Sequence, residues 1–278
     1  MILKTKNNKL VHPIGIGTWG VSSQKTDEDN DYVGVVAIKG NEDVEIEAIR
    51  YSLDNGQNHL DCAELYGGFY TDEVVGRAIA GYTREDLFIA DKLWSCSVEA
   101  GKVRSTVEAM LKKLGTDYLD MLYIHWPWSD VNWREAIPQV DDLIDEGIVL
   151  NFAVSNFTIA DMRETAELSR HPIAAVQMNY NLLHKNEVGE NFKQYCNENK
   201  IEIIAYQPIK RGEVFDNPVI KTIAENHSVT ASQVAIAWLL QKKVLPIPKA
   251  MNKAHIDDNL AAVDLVLSSN DIASLDLI

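Results

Sequence analysis

Hydrophobic and polar positions divide this chain into two kinds of segment. Short apolar runs rich in β-branched residues are typical of buried strands. Between them lie longer segments in which apolar residues recur every three or four positions, as on one face of a helix. Eight runs are candidate strands: HPIGIGTW ending at Trp19, HLDCA before Glu64, DLFIADKLW ending at Trp94, YLDMLYIHW ending at Trp126, VLNFAVSN ending at Asn156, AAVQMNYN ending at Asn181, IEIIAYQP ending at Pro208 and VLPIPK ending at Lys249.

The helical pattern is clearest over residues 97–115, where apolar side chains share one face and Gly115 is placed to end the helix. Thr230 and Gln233 have the spacing of a capping box ahead of another apolar face. The same periodicity predicts helices over residues 44–55, 133–146, 158–168 and 187–199.

The order of these elements predicts the fold class. Strands that are apolar on both faces must be covered on both, and alternation with helices makes them parallel with right-handed crossovers. Eight such units in 278 residues predict one α/β domain over residues 1–278, a (β/α)8 TIM barrel with its active site at the carboxyl-terminal rim. The rival is a doubly wound open sheet, but no candidate strand runs into a GxGxxG turn. Residues 22–43 interrupt the pattern as an irregular loop or a small hairpin insertion after the first strand.

Charge and composition exclude some classes of binding partner. The formal net charge of −15 would repel the phosphates of a nucleic acid. No apolar run approaches the roughly 20 residues of a membrane helix, and the N-terminus lacks the apolar core of a signal peptide. Cys62, Cys96 and Cys196 are odd in number and widely separated, as suits reduced thiols. We therefore expect a cytoplasmic protein that binds neither nucleic acid nor membrane.

A few basic residues stand out against this acidic background. Lys210, Arg211, Lys249 and Lys253 could hold a small phosphorylated ligand. The simpler interpretation of each one alone is a solvated surface residue.

Polar residues collect where the candidate strands end. The carboxyl ends of parallel strands form one rim of a barrel, so these side chains should converge. They are Asp61, Lys92, His125, Ser155, Asn156, Gln177, Tyr206 and Lys249. Each alone has a structural explanation, such as a helix cap for Asp61 or a core hydrogen bond for His125. A set that converges on one rim favours a functional site.

The chemistry that four of these side chains indicate is proton donation to a developing alkoxide. Tyrosine, with an ordinary pKa near 10, is a poor acid at neutral pH, but a neighbouring ammonium favours its ionised form. Lys92 would supply that ammonium to Tyr66, and Asp61 would keep Lys92 charged and oriented. His125 would hydrogen-bond the carbonyl oxygen of a substrate.

These residues stand in motifs that resemble the aldo-keto reductase family, over nearly the whole chain. The motifs are GIGTW at Trp19, HLDCAELYG at Gly67, DKLW at Trp94, LDMLYIHWP at Pro127, VSNF at Phe157, VQMNYN at Asn181, AYQP at Pro208 and IPKAMNKAHIDDN at Asn259. The chain is most similar in pattern to the compact bacterial members, such as the 2,5-diketo-gluconate and aldehyde reductases.

The resemblance implies a catalytic tetrad of Asp61, Tyr66, Lys92 and His125, with Tyr66 as general acid. It implies hydride transfer from C4 of a reduced nicotinamide to an aldehyde or ketone, without a metal. Residues implied to bind the cofactor are Gly17, Thr18, Ser155, Asn156, Gln177, Tyr206, Gln207, Pro208, Ile209, Lys210, Lys249, Ala250, His255, Asp258 and Asn259. Trp19, Trp94 and Trp126 are implied to wall the substrate pocket.

The chain departs from the family pattern where the adenosine 2′-phosphate would bind. The family usually has Lys-Ser followed by an Arg, whereas this chain has Lys249, Ala250 and His255. A hydroxyl donor and a bidentate guanidinium are therefore missing. We expect NADP(H) as the favoured cofactor with weakened discrimination against NAD(H). The short C-terminal segment predicts an open pocket for small carbonyl compounds, and the family habit predicts a monomer.

Other functions remain open at this point. A barrel lysine, Lys92 or Lys249, could form the Schiff base of a lyase. Asp61 and Glu64 could act as the paired carboxylates of a glycoside hydrolase. Some members of the resembled family are nicotinamide-binding regulatory subunits with little turnover, and an intact tetrad does not distinguish that role.

Overall fold

Parallel strands in chain order form the centre of the fold. The computed structural model describes residues 3–25, 35–37, 40–99 and 101–278. The strands are β1 Ile16–Gly17, β2 Ser23–Lys25, β3 Val35–Ala37, β4 His59–Asp61, β5 Phe88–Leu93, β6 Met121–Ile124, β7 Phe152–Ser155, β8 Ile173–Asn179, β9 Glu202–Tyr206 and β10 Leu245–Pro246. Eight of them make one sheet in the order β1-β4-β5-β6-β7-β8-β9-β10, each hydrogen-bonded to the next.

Backbone hydrogen bonds between the first and last strands close this sheet into a barrel. The amide of Gly15 donates to the carbonyl of Pro246 at 2.9 Å, and that of Gly17 donates to Pro248 at 3.1 Å. A Cβ atom on Gly17 would lie 2.6 Å from the carbonyl oxygen of Ile247, so this close approach requires glycine. The predicted (β/α)8 barrel is confirmed, and the open-sheet alternative is wrong.

Helices follow the barrel strands and pack on their outer faces. They are α1 Glu42–Asp54, α2 Thr71–Ile79, α3 Val103–Leu114, α4 Ala136–Asp145, α5 Ile159–Leu168, α6 Glu190–Glu198, α7 Pro218–His227, α8 Ala231–Gln241, α9 Lys253–Ala261 and α10 Ser269–Asp276. Gly115 ends α3 as predicted, with a left-handed φ of 69°. The same helix begins at Val103 rather than near residue 97, because residues 95–97 form a separate 3-10 turn. The predicted capping box of α8 is confirmed: the Thr230 hydroxyl accepts from the Gln233 amide, and the Gln233 side chain accepts from the Thr230 amide.

Side-chain alternation along the strands divides the core into two layers. The barrel interior is packed with side chains of Phe88, Ala90, Met121, Tyr123, Ala153, Ala175, Ile204 and Leu245. A larger apolar layer lies between the outside of the barrel and the helices. The side chains of neighbouring residues in one strand therefore lie in different layers. In β5 this places the side chains of Asp91 and Lys92 on opposite faces of the strand.

Between β1 and α1 the chain leaves the barrel pattern. Strands β2 and β3 pair antiparallel, with Gln24 opposite Val36. The remainder of the segment from 22 to 43, at 26–34 and 38–39, falls outside the described residues. Glu45 of α1 ties down the start of this segment by accepting hydrogen bonds from the Ser22 amide (2.8 Å) and hydroxyl (2.6 Å). Among the described residues, no helix is both long and apolar enough to traverse a membrane.

Candidate active site

A buried ion pair forms the floor of a pocket at the carboxyl-terminal rim. The Lys92 ammonium donates to Asp61 Oδ2 at 2.8 Å and to the Cys62 carbonyl at 2.6 Å. The Lys92 side chain is 0% exposed and the Asp61 side chain 3%. A buried ammonium is costly unless a carboxylate compensates it. The carboxylate at the end of β4 therefore compensates the buried ammonium of the lysine in β5.

Tyr66 lies above this ion pair in the turn that follows β4. The Lys92 ammonium lies 3.4 Å from the Tyr66 hydroxyl oxygen and donates to it. The turn is tight: Gly67 and Gly68 have φ values of 58° and 59°, and a Cβ atom on Gly67 would lie 2.6 Å from the Thr71 hydroxyl. This geometry directs the phenol toward the pocket and places a positive charge beside it.

His125 follows β6 and is packed among aromatic rings. The Tyr66 and Trp94 rings meet its imidazole edge to face, with centroids 6.1 and 5.2 Å away. Burial, and secondarily the nearby Lys92 ammonium, lower the pKa of His125 well below its usual value. The imidazole is therefore neutral at pH 7. Its Nδ1 atom is buried without a hydrogen-bond partner.

Strands β7 and β8 end in a connected set of amide and hydroxyl groups. Ser155 donates through Oγ to the Gln177 carbonyl at 3.1 Å, and the Gln177 side-chain amide donates to Asp61 Oδ1 at 2.7 Å. The Asn156 amide donates to Ser155 Oγ at 3.0 Å, and its oxygen accepts from the Tyr206 hydroxyl at 2.9 Å. Asn156 adopts a φ of 64°, which turns its side chain back toward the strand ends. These donors and acceptors face one pocket.

The pocket has a volume of about 280 Å³ and brings together most residues expected from the sequence. Its predicted lining residues are Gly17, Trp19, Asp61, Tyr66, His125, Trp126, Ser155, Asn156, Gln177, Tyr206, Gln207, Pro208, Ile209 and Lys249. The wall also contains Arg211, one of the basic residues that the sequence suggested could hold a phosphorylated ligand, together with Ile247 and Pro248, which we did not assign from the sequence. Ile247 and Pro248 could have been found, because they directly follow β10 and lie next to Gly17 where the barrel closes.

Several expected residues lie outside the pocket wall. Lys92 lies beneath the floor, Thr18 is buried and donates through Oγ1 to the Asp61 carbonyl at 2.8 Å, and Trp94 lies behind His125. Trp94 also meets Trp128 edge to face at 5.4 Å, which extends the row of aromatic rings away from Tyr66.

The expected adenosine-binding residues lie on or near α9. Asn252 caps this helix by accepting from the His255 amide at 2.8 Å. Both carboxylate oxygens of Asp258 lie 2.9 Å from the Thr230 hydroxyl, which donates to them, and Asn259 is buried. Ala250 is half-buried next to Lys249. These residues do not line the pocket. Residues 250–259 follow the pocket residue Lys249 in the sequence.

The geometry does not favour the two rival reaction types. A Schiff-base lysine must be neutral and accessible to substrate, whereas Lys92 is fully buried against a carboxylate. Glu64 accepts hydrogen bonds from the Trp94 amide (2.8 Å) and the Ser97 hydroxyl (2.6 Å), which engages both of its oxygens. Glu64 is also absent from the pocket wall. This geometry therefore disfavours a Schiff base at Lys92 and a hydrolase that uses Asp61 with Glu64.

Comparison with protein families gives one match over almost the whole chain. Residues 13–278 match the model of the aldo/keto reductase family. The chain is 31% identical over 270 residues to methylglyoxal reductase YeaE of Escherichia coli strain K12, covering 95% of this chain and 89% of that protein. It is 30% identical over 247 residues to glyoxal reductase of Bacillus subtilis strain 168, covering 88% and 86%.

Solved structures agree with this match. An aldo/keto reductase from Klebsiella pneumoniae in complex with NADP and acetate superposes with a TM-score of 0.85 at 27% identity, covering 99% of this chain and 95% of that one. A Klebsiella pneumoniae aldo-keto reductase in complex with NADPH gives a TM-score of 0.85 at 28% identity, covering 100% and 95%.

Proposed function

The chain belongs to the aldo/keto reductase family, and we propose that it is an NAD(P)H-dependent carbonyl reductase with Tyr66 as its general acid. The observation that carries this proposal is the position of the Lys92 ammonium, 2.8 Å from Asp61 Oδ2 and 3.4 Å from the Tyr66 hydroxyl oxygen. An ammonium at this distance stabilises the tyrosinate that forms when the phenol gives up its proton.

The pocket residues have a donor set that fits a nicotinamide dinucleotide. Ser155, Asn156 and Gln177 supply amide and hydroxyl groups for a carboxamide, and the Tyr206 ring supplies an aromatic face. Arg211 and Lys249 supply positive charge at the pocket wall. The reduced cofactor, when bound, supplies a hydride to the carbonyl carbon of the substrate.

Residues of this chain would donate the proton, stabilise the resulting charge and orient the substrate. Tyr66 gives its hydroxyl proton to the carbonyl oxygen as that oxygen gains electrons, which leaves an alcohol and a tyrosinate. Lys92 stabilises the tyrosinate, and Asp61 compensates and orients the buried ammonium of Lys92. His125 is neutral, so a proton on its Nε2 atom can donate a hydrogen bond to the same carbonyl oxygen and orient it. Trp19 and Trp126 line the pocket beside this position and would exclude water.

Small dicarbonyl compounds are the proposed substrates, because two relatives carry the names methylglyoxal reductase and glyoxal reductase. NADPH is the favoured cofactor, since Lys249 keeps one cation where the family binds the 2′-phosphate and the Klebsiella structures contain NADP and NADPH. NADH remains an alternative because Ala250 and His255 replace the usual hydroxyl and guanidinium groups. Cytoplasmic location and the monomeric state stay predictions.

The test is steady-state turnover, followed at the absorbance of the reduced nicotinamide, with methylglyoxal and an aromatic aldehyde offered to the wild-type chain. NADPH and NADH are supplied in parallel. We expect consumption of NADPH with methylglyoxal, and a smaller but measurable rate with NADH. If the chain binds NADPH but reduces no carbonyl compound, the regulatory-subunit alternative replaces this proposal. If it binds neither dinucleotide, the assignment of the pocket is wrong.

A further inference from the structure

A second tyrosine lies inside the barrel directly beside the proposed catalytic lysine. Tyr123 of β6 is in register with Lys92 of β5, and both side chains point into the barrel interior. The next two strands supply only alanine at this level, Ala153 and Ala175, which leaves room for the phenol. Tyr123 is fully buried and does not line the pocket, so it does not touch the substrate.

The Lys92 ammonium lies over two tyrosine rings. Its Nζ atom is 5.0 Å from the centroid of the Tyr66 ring and 5.6 Å from that of the Tyr123 ring. An ammonium is attracted to the face of an aromatic ring, most strongly where water is excluded. Lys92 is fully buried, so the attraction acts without competition from water. The Tyr123 ring also fills interior volume beside the flexible lysine side chain.

The Tyr123 hydroxyl adds nothing to this contact. It is buried without a hydrogen-bond partner among the described residues, and the nearby Gln177 amide donates to Asp61 Oδ1 instead. Burial, and then the charge of Asp61, raise the pKa of Tyr123 well above its usual value. The phenol is therefore neutral at pH 7. Its ring, rather than its hydroxyl, is the part that contacts Lys92.

We propose that Tyr123 is a positioning residue whose ring holds the Lys92 ammonium against Asp61 and the Tyr66 hydroxyl. This inference rests on the proposed function, because it concerns the lysine that acts on Tyr66. Without the ring, the ammonium would be less firmly held and would stabilise the tyrosinate less. Proton donation by Tyr66 would slow, and its phenol would keep its proton to a higher pH.

The experiment compares wild type with Tyr123→Leu and Tyr123→Phe in the single-turnover reduction of methylglyoxal by saturating NADPH. The rate is measured from pH 6 to 10, and the dissociation constant of NADPH is measured on each protein. We expect Tyr123→Leu to lower the rate by about five- to tenfold, as for loss of a desolvated contact between an ammonium and a ring. The fall in rate at alkaline pH should also move to higher pH in this variant, with NADPH binding unchanged.

Tyr123→Phe is the matched control, because it keeps the ring and removes only the hydroxyl. We expect it to retain the wild-type rate and pH profile, and to be no less stable than wild type, since the deleted hydroxyl has no partner. This variant is informative even if Tyr123→Leu does not fold, because a loss of rate in Tyr123→Phe would by itself overturn the inference.

Two results for Tyr123→Leu would also overturn the inference while leaving the proposed function intact. One is a variant with the wild-type rate. The other is a lower rate with an unchanged pH profile, which would give the ring a structural role without an effect on the ionisation of Tyr66. Failure of the wild-type chain to reduce any carbonyl compound would instead refute the proposed function.

Discussion

Replacing Asp91 by asparagine should stabilise this protein at alkaline pH, although the residue is adjacent to the proposed catalytic lysine. Asp91 is 0% exposed, and its Oδ1 atom accepts from the Lys92 amide at 2.7 Å. Its Oδ2 atom has no hydrogen-bond partner. Asp72 of α2 is also buried, with Oδ1 unpartnered. Two buried carboxyl groups, one in β5 and one in α2, thus lack a full set of partners.

Burial raises the pKa of Asp91 from 3.8 to about 7. Each pKa unit corresponds to about 1.4 kcal/mol, so ionised Asp91 costs the folded state about 4 kcal/mol. The direction in which stability changes with pH follows from which state, folded or unfolded, binds the proton. Between pH 7 and 3.8 the folded state holds a proton that the unfolded state has lost, so the cost is complete above pH 7 and disappears as the pH falls. Asparagine has the same shape, keeps the oxygen that accepts from the Lys92 amide and carries no charge.

The assay is urea denaturation of wild type and Asp91→Asn between pH 5 and 8. We expect the variant to be more stable by up to about 4 kcal/mol at pH 8, with the advantage shrinking by roughly 3 kcal/mol at pH 5. Asp72→Asn is a parallel variant, because burial and then the Asp91 charge raise the pKa of Asp72 well above its usual value, so removal of its charge should also stabilise the fold at pH 8. A variant that is less stable than wild type at pH 8, or an advantage independent of pH, would refute this reasoning.

Three further predictions concern the buried ion pair, His59 and Gly76. Asp61→Asn and Lys92→Met should each lower the free energy of unfolding by about 3 to 5 kcal/mol, because each leaves a buried charge unpaired. In a double-mutant cycle measured by denaturation, the double variant should lose less free energy of unfolding than the sum of the two single losses. Burial lowers the pKa of His59 from 6.5 to about 4, so His59 alone contributes a loss of up to about 3 kcal/mol as the pH falls through that window, opposite in sign to the contribution of Asp91; the stability of His59→Leu relative to wild type should rise by this amount from pH 7 to pH 4, and a difference independent of pH would contradict it. Gly76→Ala should cost at least about 1 to 3 kcal/mol, because its Cβ would lie 2.3 Å from the Lys113 carbonyl; an unchanged melting temperature would exclude this contact.

The sequence predicted the barrel because eight apolar runs alternate with segments of helical period. Asp61 ends β4 and His125 directly follows β6, so the parallel arrangement alone brings them to one rim. Lys92, one residue before the end of β5, joins them because alternation turns it inward. The shared rim and the family motifs were therefore enough to predict most of the proposed tetrad from the sequence.

Other features depended on backbone conformation that sequence patterns do not encode. The left-handed turn of residues 210–212 follows the pocket residue Ile209, and positive φ values at Lys210 and Arg211 have no signal in the sequence. Alternation could have predicted that Asp91 points away from Lys92, but the approach of Asp72 depends on how α2 packs. Helix α3 begins later than its apolar pattern, because local 3-10 hydrogen bonding at residues 95–97 precedes it.

The most direct test of the account is a single-turnover measurement with saturating NADPH and methylglyoxal, comparing wild type with Tyr66→Phe. Dissociation constants for NADPH are measured on both proteins to separate binding from chemistry. The account predicts unchanged NADPH binding and a rate of cofactor oxidation lowered by about 10²- to 10⁴-fold, the usual contribution of a general acid. A Tyr66→Phe variant that binds NADPH normally and reduces methylglyoxal at the wild-type rate would contradict the assignment of Tyr66 as the proton donor.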